Sequence, residues 1–347
     1  MRAHLILDDG TVYQGESFGA ALSITGEVVF NTGMTGYPES LTDPSYRGQI
    51  LVYTYPLIGN YGVPEGEFES NQIQVRGVVV LQYQAHYAHW SAQQSLGEWL
   101  QYHGIPGITG IDTRAVTKRL RNHGVMLGQI VVGHDRPVTT IPDPNTQNLV
   151  AEVSCQKPMW YGSSRKQIIL VDCGVKLSMI RSLTQRGIRI KRVPWDYNYV
   201  AELNDFVGVL ISNGPGDPKQ CRTTIAYAEQ ALRSGKPNFG ICLGSQIQAL
   251  AVGAKTYKLK YGHRAQNQPC QIVDSQRCLL TSQNHGYAVR EHTLPKIWRV
   301  WFRNANDGSV EGIHHRTKPF FSVQFHPEAN PGPHDSDYIF DYFVSML

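Results

Sequence analysis

The pentapeptide Gly240-Ile241-Cys242-Leu243-Gly244 sets a cysteine between two glycines, after the apolar run Pro237 to Ile241 and before a helix predicted to begin near Ser245. Strand, tight turn and helix in that order make a nucleophile elbow, here with cysteine in place of serine. The glycines keep side chains out of a sharply strained turn. The helix start serves the sulfur twice: its dipole favours thiolate over thiol, and its free N–H groups can donate to an anion formed on a substrate. On five residues alone, a core cysteine between packing glycines reads equally well. A base decides between the two. Phe325-His326-Pro327-Glu328 follows the apolar strand Phe320 to Gln324, which puts His326 at a strand end with Glu328 two residues on. None of the other histidines among the 13 has such a setting. In the order Cys242, His326, Glu328, the histidine would deprotonate the thiol and later protonate the leaving group, a role typically worth ~10²–10⁴ in rate. Glu328 would hold the imidazole in the useful tautomer.

Ser212-Asn213-Gly214-Pro215-Gly216-Asp217-Pro218 follows the apolar strand Val207 to Ile211 and must turn sharply. At the C-terminal end of a parallel strand, a glycine N–H exposed there could complete an oxyanion hole with the N–H of Leu243. A phosphate-binding loop is the poorer reading, because no Gly-Lys-Ser/Thr follows and Asp217 would repel phosphate.

The elements around these motifs fall into two regimes. Before the linker, runs such as Glu27 to Thr32, Gln49 to Thr54 and Val75 to Leu81 predict a strand-rich α+β domain over 1–150. Two helices are inserted in it, Gln93 to Tyr102 and a second from an Asp112 or Thr113 cap to Gly124. Four prolines (Pro137, Pro142, Pro144 and Pro158) and small polar residues between Asp135 and Lys166 predict a linker there, with 151–166 as the connection between the domains. From Gln167 strands and helices alternate, which predicts an α/β domain over 167–347: an open, mostly parallel sheet with flanking helices, with shorter strands from Gln271 to Gln324 and a last helix from about Asp335. At 347 residues, two domains are the expected number. Hydrophobic residues at 41% and charged residues at 17% fit a globular chain and exclude disordered and fibrous classes. The net charge of +4 is scattered and carries no nucleic-acid patch. Apolar runs such as Val78 to Leu81 fall far short of the ~20 residues of a membrane span, and Asp8 and Asp9 argue against a signal peptide, so a soluble chain is expected. The six cysteines contain no C-x-x-C pair, which speaks against a zinc site and against a dense disulfide framework, and for a reducing compartment.

Four segments together resemble the signatures of the class I (triad) glutamine amidotransferases, a flavodoxin-like fold: Gly240 to Gln246, Asn213 to Pro218, Gln283-Asn284-His285-Gly286-Tyr287 and His326 to Glu328. The first half resembles, within that class, the carbamoyl-phosphate synthase small-subunit family. It does so at Gly26 to Thr32, Met34 to Tyr37, Leu41 to Tyr46 and Gly110 to Arg114, as does Pro331 to Asp335 near the end. The resemblance implies hydrolysis of L-glutamine to glutamate through a thioester, with ammonia passed to a large subunit that makes carbamoyl phosphate from bicarbonate and ATP. It implies a hetero-oligomer, no cofactor or metal in this chain, and ATP and Mg used by the partner. It also implies a glutamine site formed by Ser45, Gly214, Gly216, Leu243, Gln246, Asn284, Gly286 and Tyr287 around Cys242, His326 and Glu328. Ser45 reads equally as a turn serine after Asp43-Pro44.

Two departures stand out. Ser245 occupies a position where histidine is common in the family, and Arg264-Ala265 alters a run that usually ends in glycine. Cys242 is retained, unlike in the family's ammonia-dependent relatives. Another class I amidotransferase would share the second half and lack the first; a non-catalytic scaffold subunit would keep the fold without turnover. A bacterial cytoplasm or a plastid stroma is the expected location.

Overall fold

The computed structural model describes residues 1–66 and 68–347, and the chain divides into two units, Met1–Gln147 and Asn148–Leu347. In chain order the first unit contains β1 (Arg2–Leu7), β2 (Val12–Gly19), β3 (Ile24–Asn31), α1 (Tyr37–Thr42), β4 (Gln49–Tyr53), β5 (Leu57–Ile58), β6 (Val63–Pro64), β7 (Gly77–Val79), β8 (Gln82–Tyr83), β9 (Ala92–Gln94), α2 (Leu96–Tyr102), β10 (Pro106–Thr109), α3 (Thr113–His123) and β11 (Met126–Val132). Seven of these strands close into a barrel in the order β1-β11-β3-β4-β7-β10-β2. The strand-rich reading holds. Closure was not legible, because it depends on pairing distant strands such as β1 with β11, on which local alternation is silent. Both helices form as their caps direct. Ser95 and Glu98 make a reciprocal capping box on α2, and Asp112 caps α3 through the N–H of Ala115 before Gly124 ends it in the left-handed region.

The second unit runs α4 (Val150–Val153), β12 (Met159–Tyr161), β13 (Gln167–Asp172), α5 (Leu177–Gln185), β14 (Arg189–Pro194), β15 (Gly208–Ile211), α6 (Arg222–Arg233), β16 (Asn238–Ile241), α7 (Leu243–Ala251), β17 (Lys255–Ile272), β18 (Cys278–Arg290), β19 (Trp298–Asn304), β20 (Val310–His315), β21 (Phe320–Val323) and α8 (Tyr338–Met346). Its ten-stranded sheet has the order β12-β14-β13-β15-β16-β21-β20-β18-β17-β19. The expected parallel sheet is its centre: β14-β13-β15-β16-β21 pair parallel, and the strands beyond them pair antiparallel. Alternation in the central strands supplies two cores. Ile168 and Leu170 face α5 and α8, whereas Ile169 and Val171 face α6 and α7. Burying each such side chain contributes roughly 1.5–3 kcal/mol, enough in sum to hold strained turns at the strand ends.

Four boundaries differ from the sequence reading. Helix α2 starts at Leu96 rather than at Gln93, because Gln93 and Gln94 belong to β9. The segment 151–166, expected as a linker, belongs to the second unit and supplies edge strand β12, which pairs with β14. Strand β17 begins at Lys255, in a run whose charges hide its alternation because only one of its faces is buried. Helix α8 starts at Tyr338 rather than near Asp335, whose carboxylate is instead engaged by the N–H of Leu280 at 3.0 Å.

Candidate active site

Cys242 joins β16 to α7 with φ 54° and ψ −104°, a left-handed backbone in a residue other than glycine. Such a conformation costs on the order of 1–3 kcal/mol and persists only where the surroundings impose it. Here they do. The Cys242 N–H donates to the Val323 carbonyl at 2.8 Å. A methyl group on Gly240 would lie 2.5 Å from the Gly244 carbonyl oxygen, and one on Gly244 would lie 2.0 Å from that of Ile211. The two glycines are thus a steric requirement of the elbow.

Strand register then determines what surrounds the sulfur. Ile241 pairs with Val323 and Gly240 with Ile211, so the exits of β21 and β15 flank Cys242. Leaving β21, the Gln324 side-chain amide lies 3.6 Å from Sγ, and the His326 N–H bonds the Ser282 carbonyl at 2.9 Å. His326 Nδ1 meets Glu328 Oε1 at 2.6 Å. The ring's Nε2 is buried without a hydrogen-bond partner, and its electrostatic neighbour is the Cys242 sulfur. Burial disfavours a charged imidazole, but Glu328 and the sulfur more than reverse this, and His326 is pushed up to about 10. Burial likewise works against the Glu328 carboxylate, yet Lys176 and His326 hold it down at about 2.

Lys176 is the residue the motif reading missed. It is 4% exposed, and its Nζ lies 3.1 Å from Glu328 Oε1 while donating to the carbonyls of Ala329 at 2.7 Å and Asn330 at 3.2 Å. Its placement has its own support: Asp172 accepts from the N–H groups of Gly174 and Val175, and Arg192 pairs with the same carboxylate at 2.6 Å. A lysine opening an apolar helix immediately after a strand was the available signal. A buried cation there needs a carboxylate.

The residues expected around glutamine are placed as follows. Gly214 lies against the elbow, since a methyl group on it would come within 2.8 Å of Leu243 Cδ2 and 2.0 Å of the Cys173 carbonyl. Gly216 in the same loop has φ 81°. The Leu243 N–H is at the first position of α7, where no intrahelical acceptor exists. Gln246, one turn into α7, donates to the Tyr287 carbonyl at 2.9 Å and to Gln324 Oε1 at 3.0 Å. The Asn284 carbonyl is 3.6 Å from Cys242 Sγ, and Gly286 lies between Asn284 and Tyr287 on β18. Ser45 belongs to the first unit, buried, with its N–H on the Asp43 carboxylate at 2.9 Å.

A thiol so displayed at the exits of parallel strands beside an imidazole–carboxylate pair defines a triad acyl-transfer site on an open α/β sheet. The model of the class I glutamine amidotransferases matches residues 169–346, and that of the carbamoyl-phosphate synthase small chain, CPSase domain, matches residues 5–130. The chain is 49% identical over 361 residues to the carbamoyl phosphate synthase arginine-specific small chain of Aspergillus oryzae, covering 100% of this chain and 80% of that one. It is 51% identical over 355 residues to the multifunctional protein CAD of Squalus acanthias and 46% identical over 387 residues to the multifunctional protein pyrABCN of Emericella nidulans. Those two alignments cover 99% of this chain but 16% and 17% of the multifunctional relatives, so the chain spans a small part of their length. The chain belongs to the carbamoyl-phosphate synthase small-chain family.

Proposed function

We propose that the chain is the glutamine-hydrolysing subunit of a carbamoyl-phosphate synthase. The observation that carries this is Cys242 on its left-handed elbow beside the His326 ring, with Glu328 and Lys176 in contact series behind that ring. His326, pushed up to about 10, holds a proton beside the sulfur. Sγ attacks the side-chain amide carbon of glutamine, and the oxyanion is received by the N–H groups of Leu243 and Gly214. Collapse breaks the C–N bond while His326 gives its proton to the departing ammonia, leaving a thioester. His326 then takes a proton from water as the water attacks, and glutamate leaves with Sγ restored. Gly216, Gln246, Asn284, Gly286 and Tyr287 shape the glutamine pocket in this reading. None of these steps needs a metal.

Ammonia then goes to a large subunit that uses bicarbonate, ATP and Mg, with carbamoyl phosphate serving arginine or pyrimidine synthesis. The arginine-specific name of one relative and the multifunctional names of the others support this destination. A cytoplasmic or plastid-stromal location belongs to the same proposal. Glutaminase turnover of the purified chain, with and without a large subunit, ATP and bicarbonate, tests it. A rise in hydrolysis matched by carbamoyl phosphate is expected; hydrolysis indifferent to the large subunit would overturn the choice of partner.

A further inference from the structure

Strands β17, β18, β20 and β19 pair in a closed circuit, since β19 joins both β20 and β17. From three of these strands His263, His285 and Glu311 converge, 8%, 4% and 0% exposed. His263 stands directly opposite His285 in the ladder. Their ligand atoms lie within 4.8 Å of one another. His263 Nδ1 is 3.3 Å from Glu311 Oε1, and His285 Nε2 is 3.6 Å from the same oxygen.

The surrounding hydrogen bonds fix the His285 tautomer. His285 Nδ1 faces the Tyr287 carbonyl at 2.8 Å, an acceptor only, so Nδ1 carries the hydrogen and Nε2 a lone pair. That lone pair looks at Glu311 and, at 3.2 Å, at Gln283 Oε1. The Gln283 amide cannot turn to donate, because its nitrogen serves Thr281 Oγ1 and Cys270 Sγ. Asn304 Oδ1 accepts from the N–H of Asn306 at 2.9 Å, which directs its nitrogen at His263 Nδ1, 3.4 Å away. Nδ1 of His263 thus lies between that amide and Glu311 Oε1, and its Nε2–H donates to Asp307 at 3.0 Å. The second carboxylate oxygen of Glu311 is buried without a hydrogen-bond partner. The His285 lone pair, His263 Nδ1 and the Glu311 carboxylate thus face one another, with the Asn304 amide 3.4 Å from Nδ1 and the Ser309 hydroxyl 3.4 Å from Glu311 Oε1 as neighbouring donors. Each histidine is anchored from behind, one by a carboxylate and one by a backbone carbonyl, as metal-bound histidines are. Tetrahedral zinc with ligands at ~2.1 Å gives ligand–ligand edges of about 3.4 Å, which bracket well with the two separations here.

We propose that His263, His285 and Glu311 bind a divalent ion of the zinc class, with the fourth position left to Gln283 Oε1 or water. The ion is structural. It ties β17, β18 and β20 together behind Asn284 and Tyr287, whose carbonyls face Cys242 and Gln246.

The test uses the full chain carrying Cys242→Ala, which removes the thiol as a rival ligand, stripped with EDTA and titrated with Zn²⁺ and separately with Co²⁺. One ion per chain is expected, with a tetrahedral Co²⁺ absorption lacking a sulfur charge-transfer band. Binding weakens at least about tenfold in Glu311→Gln and in His263→Ala. Stoichiometric binding that survives both substitutions, a sulfur band, or no ion bound at all would overturn the proposal. Should a variant misfold, the Co²⁺ spectrum of the chain with all three ligands intact still decides. Because Cys242 is absent from these measurements, the outcome is independent of glutaminase activity.

Discussion

The second unit holds two buried His–Glu clusters that differ in how the negative charge is answered. At Cys242 the carboxylate of Glu328 faces a protein cation, Lys176, so His326 is left with a proton to exchange and a sulfur to exchange it with. In the β17–β18–β20 circuit, Glu311 has His263, His285 and Ser309 as its partners among the described residues, and no lysine or arginine. A buried carboxylate with a fixed counter-charge is a tool for proton transfer; one without it is a receptor for a cation. The settings differ as well. The first cluster sits on strained turns at the exits of parallel strands, and the second on regular ladder positions, where geometry is held without strain.

The largest expected effect separates the clusters outright. Cys242→Ala should abolish glutamine-driven carbamoyl phosphate synthesis, by about 10⁴-fold or more, while ammonia-driven synthesis by the complex continues. Loss of both would make Cys242 a structural residue. Glu328→Gln should cost roughly a hundredfold less than loss of Cys242 or His326, because an orienting group is removed rather than a reacting one; steady-state rates for all three variants side by side check this, and equal losses would erase the distinction.

Lys176 sharpens the comparison through stability. Lys176→Met leaves Glu328 buried without its cation, and removing one member of a buried pair costs about 3–5 kcal/mol. Adding Glu328→Gln removes the orphaned charge, so the double variant should be more stable than Lys176→Met alone. Chemical denaturation of the two variants measures it. Additive losses would mean that the 3.1 Å contact carries no coupling.

How much of this was legible before the structure depends on range. The elbow could be read because its constraint is local: glycines at 240 and 244 are required within five residues of the thiol. The pairing of His326 with Cys242 could be read because both follow apolar strands, and parallel register does the rest. Lys176 could be suspected only as a lysine opening an apolar helix, and the Asp172–Arg192 pair behind it not at all, since the partners lie 152 and 20 residues apart along the chain and no spacing pairs them. The closed barrel of the first unit and the circuit around His263 were hidden for the same reason. A histidine in Gly262-His263-Arg264 reads as one of 13 until Glu311 is brought beside it.

The smallest effect is one of pH, and it follows from the shifts at the first cluster. His326 is raised from 6.5 to about 10, so its contribution to stability is fully present below about 6.5 and is lost as pH rises through about 10. Glu328 is lowered from 4.5 to about 2, so its contribution is present above about 4.5 and is lost as pH falls through about 2. The folded chain should therefore be most stable on a plateau between these limits. Replacing His326 with glutamine should flatten the alkaline fall while leaving part of the acid one, because Lys176 still holds Glu328 ionised. Unfolding free energies of parent and His326→Gln across pH 4 to 10.5 provide the measurement. An alkaline limb identical in the two proteins would mean that the proton carried by His326 is not coupled to folding, and that the site's charge state is set by Lys176 and Glu328 alone.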